Sequence, residues 1–263
     1  MAQVLRSARR VAALMGAATG ALGEYALACA SRGRPGPKQA ARWLHRWCRW
    51  TLPQLGVRLS HAGAIPTSGM LVANHLSYLD ILAIAALQPA VFVAKREVRH
   101  WPVFGWLAIL AGTIFVDRSR AADIPRVNAE IAQRLSEGLM VVVFAESTSS
   151  DGASILPFRS PLLQPAIEGA KVLTAARISY TVDGEAGRDA CYWGEMVLLP
   201  HLLRLLSRRK IQAHLSFGHP RRFADRRYAA IALREQVSQL PQIGSTPTQD
   251  ATMAAAASFS LAS

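Results

Sequence analysis

The sequence predicts an α/β fold, with a central mixed sheet flanked by helices and membrane-associated helices ahead of it. Three observations carry this expectation. From about residue 51 to 240, short apolar runs alternate with longer stretches of helical periodicity, the pattern of a sheet covered on both faces. The 263 residues are 51% hydrophobic, enough for one large core. The net charge of +13 sits at the ends, with +8 in residues 1–50, +6 in residues 201–263 and about −1 between them. Three units follow: basic membrane-associated helices over 1–50, the main domain over 51–240, and a Ser/Thr/Ala-rich disordered tail over 241–263.

In chain order, the N-terminus sets Arg6, Arg9 and Arg10 ahead of about twenty mostly small apolar residues. Such a segment reads as a membrane-associated helix kept on the cytoplasmic side by its arginines, a cleaved signal peptide being the alternative. Glu24 and the many Gly and Ala make it a poor spanning helix. The Gly/Pro stretch at 31–39 breaks the chain. In ARWLHRWCRWTL, Arg42, Arg46 and Arg49 recur at helical spacing, and so do Trp43, Trp47 and Trp50 one position on. Beside an arginine stripe, the tryptophans suit a helix lying in an anionic membrane interface; the alternative is a helix packing its tryptophans into the core.

The strands are expected in GMLVA, AVFVAK, GTIFVDR, LMVVVFAE, VLTAARISY and IQAHLSFG, and helices in LDILAIAALQ and ADIPRVNAEIAQRLSEG, the latter closed by Gly138. LLPHLLRLLSRRK, 198–210, repeats the theme of leucines followed by a basic cluster. Cys29, Cys48 and Cys191 are odd in number and lack metal-type spacing, so a reducing compartment and no structural zinc are expected. The basic flanks accompany Trp and Leu stripes rather than a nucleic-acid reading module, which favours a lipid surface over nucleic acid.

The stretch GMLVANHLSYLDILAIAAL, 69–87, is interrupted by His75 and, five residues on, Asp80. Ser77 and Asp80 match a capping box, so the acid has an ordinary explanation as a helix start. A carboxylate in the first turn can also reach back to the imidazole, fix its tautomer and raise its basicity, leaving the other nitrogen to take a proton from a hydroxyl. Further polar groups end later apolar runs: Arg118 after GTIFVD, Glu146 with the hydroxyls of Ser147 and Thr148, and Arg159 after LPF. Strand ends that all present polar groups suggest one shared edge, able to bind an anion through the two arginines.

Taken in order, Asn74-His75 with Asp80, Gly112 to Arg118, Phe144 to Thr148 and Leu156 to Arg159 resemble the four-block pattern of the glycerolipid acyltransferases, the PlsC-like 1-acylglycerol-3-phosphate family. The resemblance covers about residues 40–220. It implies His75 as the base for a lysolipid hydroxyl, Asp80 as its partner, Arg118 and Arg159 at the acceptor's phosphate, and Glu146 with Ser147 and Thr148 at the acceptor. Lys95 matches the lysine ahead of an apolar Pro-x-x-Gly segment, here Pro102 to Gly105. The implied donor is acyl-CoA or acyl-ACP, with no other cofactor and no metal. The implied reaction moves the acyl group to a lysolipid in membrane lipid synthesis at the cytoplasmic face of the inner membrane. Two departures stand out. Ala145 and Ser147 replace the family's proline and glycine, and Thr174 stands near the expected proline of the fourth block. With CYWGEMVLLPHLLRLL, these departures make the chain similar to a lyso-ornithine lipid branch. A noncatalytic lipid-binding surface protein is the alternative of another class.

Overall fold

The computed structural model describes residues 1–243; most of the predicted tail, 244–263, lies outside the described residues. Two helices lead, α1 (Ala2–Arg32) and α2 (Pro37–Gln54). The domain then runs β1 (Val57–Ala62), β2 (Met70–Ala73), α3 (Leu79–Leu87), β3 (Ala90–Lys95), α4 (Phe104–Leu110), β4 (Ile114–Val116), α5 (Ile124–Ser136) and β5 (Met140–Phe144). It closes with α6 (Gln164–Glu168), β6 (Leu173–Val182), β7 (Glu185–Ala186), α7 (Leu198–Ser207), β8 (Ile211–Phe217) and α8 (Arg226–Gln239).

The strands form one sheet in the order β1-β8-β6-β2-β5-β3-β4, with β7 paired to β6. The neighbours from β6 through β2, β5 and β3 to β4 are parallel, β6 and β8 are antiparallel, and β1 is parallel to β8. The sheet is therefore mixed, as the sequence predicts. All six expected strands are present; the edge strand β1 was not expected, because RLSHA alternates polar and apolar residues too weakly to stand out.

Alternation along each strand splits the core in two. Leu71, Ala73, Phe92, Val142 and Phe144 face α2, α3 and α7, whereas Met70, Val72, Val91, Val141 and Val143 face α5, α6 and α8. That explains why the central strands read as unbroken apolar runs, with every residue of β2 and β5 buried.

The leading helices pack on the domain. Arg10, only 3% exposed, donates to the carbonyls of Leu206, Arg208 and Arg209, and Arg6 to that of Ser207, so two arginines of α1 satisfy the C-terminal carbonyls of α7. Gly56, at φ 79°, makes room: a Cβ there would overlap the Arg10 guanidinium. The tryptophan stripe of α2 divides between its two expected fates. Trp43 is buried and donates to the Ala21 carbonyl, Trp47 donates to Glu24, and Trp50 stays exposed. Glu24 thus serves the contact with α2, where it also pairs with Arg46. By length and composition α1 could cross a membrane.

Candidate active site

Parallel strands put their carboxyl ends on one edge, and the sheet order fills that edge with the predicted residues. His75 follows β2, Glu146 follows β5, Lys95 ends β3 and Arg118 follows β4; these four strands are adjacent. Arg159 returns to the same place, because its backbone N–H donates to the Ala145 carbonyl just beyond β5.

The imidazole and the carboxylate are in contact: His75 Nδ1 lies 2.7 Å from Asp80 Oδ2. Asp80 is fully buried, and the same oxygen accepts the backbone N–H groups of Leu76 at 2.7 Å and Ser77 at 3.0 Å. Its other oxygen accepts the phenol of Tyr180 at 2.6 Å. The predicted capping box is only half formed. The Asp80 side chain holds the Ser77 N–H, but the N-cap is Tyr78 rather than Ser77, and the Ser77 hydroxyl is buried with no partner among the described residues. Asp80 therefore does more than start a helix. Its carboxylate gathers the loop, the imidazole and a strand around itself.

The His75 ring stacks on Phe144, with centroids 4.1 Å apart and planes 19° from parallel. Among the described residues Nε2 has no hydrogen-bond partner, and the side chain is 22% exposed, so this nitrogen is available to a substrate hydroxyl. The loop is held by further bonds. Asn74 exchanges two with the Ile178 backbone, at 3.1 and 2.8 Å, and the His75 carbonyl accepts from Ser150 N–H at 2.9 Å.

Glu146 is 4% exposed and both its oxygens are used by backbone, accepting from His75 N–H at 2.9 Å and Leu156 N–H at 2.8 Å. Burial raises its pKa above the ordinary value, while the two N–H bonds pull the other way. Its carboxylate clamps the His75 loop to the segment leading to Arg159. Ser147 adopts φ 62°, the left-handed conformation for which glycine is suited, at a cost of about 1–2 kcal/mol. Its carbonyl accepts from the Arg118 guanidinium, which so bridges the ends of β4 and β5. Thr148, Lys95 and Arg159 are exposed on the same rim.

Tyr180 does not stand out in the sequence, although a tyrosine buried in a strand usually finds a partner for its hydroxyl. Beside the site, α1, α2, α4 and α7 enclose an apolar cavity of about 330 Å³ lined by Ala18, Trp43, Tyr78, Phe92, Phe104 and Leu202, among others. Phe92 stacks on Phe144, which stacks on His75. A polar cleft of about 530 Å³ runs along β4 past Arg96, Arg99 and Arg120, and Thr113 lies in the walls of both. No cluster of metal-ligating side chains occurs among the described residues.

Residues 57–179 match the Acyltransferase family. The chain is 38% identical over 179 residues to the lyso-ornithine lipid O-acyltransferase of Pseudomonas aeruginosa, covering 68% of this chain and 67% of that one. It is 34% identical over 215 residues to the protein of the same name from Rhizobium meliloti, covering 76% and 72%. It is 37% identical over 153 residues to the 1-acyl-sn-glycerol-3-phosphate acyltransferase of Neisseria meningitidis, covering 58% and 60%. The crystal structure of the 1-acyl-sn-glycerophosphate acyltransferase PlsC from Thermotoga maritima shares the fold, with a TM-score of 0.63 and 19% identity over 90% of this chain and 93% of that one. The expectation drawn from the four blocks is thereby met: the chain belongs to the acyltransferase family.

Proposed function

We propose that this acyltransferase moves a fatty acyl group from a thioester, on coenzyme A or acyl carrier protein, to the hydroxyl of a lysolipid. The observation that carries the reading is the buried Asp80 carboxylate on His75 Nδ1, with Nε2 unpartnered among the described residues. In this reading Nε2 takes the proton of the acceptor hydroxyl as its oxygen attacks the thioester carbonyl. The C–O bond forms, the C–S bond breaks, and the proton leaves with the thiol. Asp80 stabilises the imidazolium formed in between. Transfer is direct, without an acyl-enzyme, because the His75 side chain meets Asp80 and Phe144 and no serine or cysteine among the described contacts.

Arg118, Arg159 and Lys95 supply positive charge on the rim for an anionic headgroup, with Ser147 and Thr148 between them. Glu146 assists from behind, by holding the His75 backbone rather than by touching the acceptor. The apolar cavity suits an acyl chain, and the arginine-lined cleft that meets it at Thr113 suits the phosphate-bearing part of the donor. Exposed Trp50, Trp106, Leu199 and Leu203 near the cavity, with basic flanks, suit an anionic membrane surface at the cytoplasmic face.

The acceptor of this reading is of the 1-acylglycerol-3-phosphate type. A second acceptor, lyso-ornithine lipid, is favoured by Ser147 in the place of the family's glycine and by relatives that carry that name. Purified protein offered acyl-CoA and, separately, acyl-ACP with each lysolipid decides between them. Acylation of lysophosphatidate supports the first acceptor and acylation of lyso-ornithine lipid alone supports the second. Acylation of neither, by protein that binds vesicles, supports the noncatalytic lipid-binding alternative.

A further inference from the structure

The reading of His75 as base uses one oxygen of Asp80; the other is held by a residue 100 positions away in the chain. Oδ2 takes its three donors, His75 Nδ1 and the N–H groups of Leu76 and Ser77, from the loop that carries the histidine. Oδ1 takes one, the phenol of Tyr180 at 2.6 Å, from β6 in the sheet. We propose that Tyr180 is a positioning residue for acyl transfer, fixing the plane of the Asp80 carboxylate and through it the orientation and tautomer of His75. The inference rests on the general-base reading above.

Three features support it. The donors to Oδ2 all come from the one loop and can shift together with the carboxylate, whereas a bond on Oδ1 from β6 anchors it to the sheet. Tyr180 and Asp80 are 5% and 0% exposed, so water does not compete for the contact. Space-filling alone would be served by phenylalanine, since the ring packs in the apolar cluster with Ile178 and Phe144; the hydroxyl has one partner, and it is the carboxylate.

The titratable groups around the pair are Glu146, whose Oε2 holds the His75 N–H, together with Cys191 and Tyr78. Burial first, then the Asp80 charge, hold the Tyr180 phenol well above its ordinary pKa, and the same two causes push Cys191 up to about 12, so the phenol stays a donor and the thiol stays neutral. Removing the phenolic hydroxyl leaves the carboxylate a poorer anion and a stronger partner for the imidazolium. Both effects favour a retained proton on the pair, so the acid limb of activity moves to higher pH.

The test is Tyr180→Phe, read as kcat, KM and the pH profile of kcat/KM. Expected are a drop in kcat of about tenfold, KM values for donor and acceptor near those of the wild type, and an acid limb displaced upward. In an Asp80→Asn background the same substitution changes nothing further, since the bond it removes already lacks its carboxylate. A wild-type pH profile overturns the role, whether kcat is unchanged or falls in step with a lower unfolding midpoint; so does a full tenfold loss on top of Asp80→Asn. If His75→Ala still turns over, the general-base reading fails and this role with it. If His75→Ala is inactive while Tyr180→Phe matches the wild type, this role alone fails.

Discussion

At the scale of single residues, the site is a set of buried carboxylates spent on backbone. Asp80 and Glu146 together accept the N–H groups of four residues, His75, Leu76, Ser77 and Leu156, so the loop bearing the imidazole is fixed by charge-assisted bonds. Asp80→Asn is expected to cut turnover by about 10²–10⁴-fold, because an amide holds the wrong tautomer of the imidazole; steady-state kinetics of a variant with an unchanged circular dichroism spectrum checks it. Glu146→Gln should lower stability by about 1–3 kcal/mol, since the two N–H groups meet different oxygens and the amide NH2 that replaces one of them cannot accept, and denaturant unfolding measures it. The pH dependence of that carboxylate also has a definite sign. Burial raises the folded pKa above the ordinary glutamate value of 4.5, so the unfolded chain ionises first and the folded state binds more protons between the two. Stability therefore falls as pH rises from about 4.5 through the folded value. Glu146→Gln should flatten that slope. His75, Asp80, Arg118 and Glu146 were legible in the sequence because each interrupts or ends an apolar run. Tyr180 was not, since nothing local to RISY says what its hydroxyl meets.

At the scale of elements, the four parallel strands place the chemistry and the helices shape what surrounds it. The runs that became β2 and β5 were the most legible because strands buried on both faces are apolar throughout, whereas β6 and β8 carry polar residues among the apolar ones. α8 and β1 escaped notice because α8 carries four charged residues in fourteen and β1 is half exposed at the sheet edge. The fate of α2 was not decidable from its stripe, since the partner that takes Trp43 and Trp47 is α1, across a Gly/Pro break. The contact of α1 with α7 depends on Arg10 lying against Gly56. Gly56→Ala should both strain a φ of 79° and displace the guanidinium. The expected outcome is a loss of about 1–3 kcal/mol and faster tryptic cleavage at Arg9 and Arg10, followed by mass spectrometry.

At the scale of the whole molecule, the cavity opens among exposed apolar side chains of α7, Leu199 and Leu203. Trp106 is exposed on α4, whose Phe104 and Leu107 line the same cavity, while basic residues concentrate in the leading helices and the C-terminal third. The strand order could not be read from the sequence. The reversal that sets β8 antiparallel to β6 depends on where α7 returns the chain, and connection length alone does not specify it. Trp106→Ser with Leu199→Ser is expected to weaken binding to anionic vesicles by about tenfold while leaving the fold intact, as cosedimentation would measure.

The central claim is that His75 is the general base of an acyl transfer. Its most direct test is turnover of purified His75→Ala with labelled acyl thioester and lysolipid, beside wild-type protein of equal unfolding midpoint. A rate lower by about 10²–10⁴-fold is predicted; a rate within a few-fold of the wild type would contradict it.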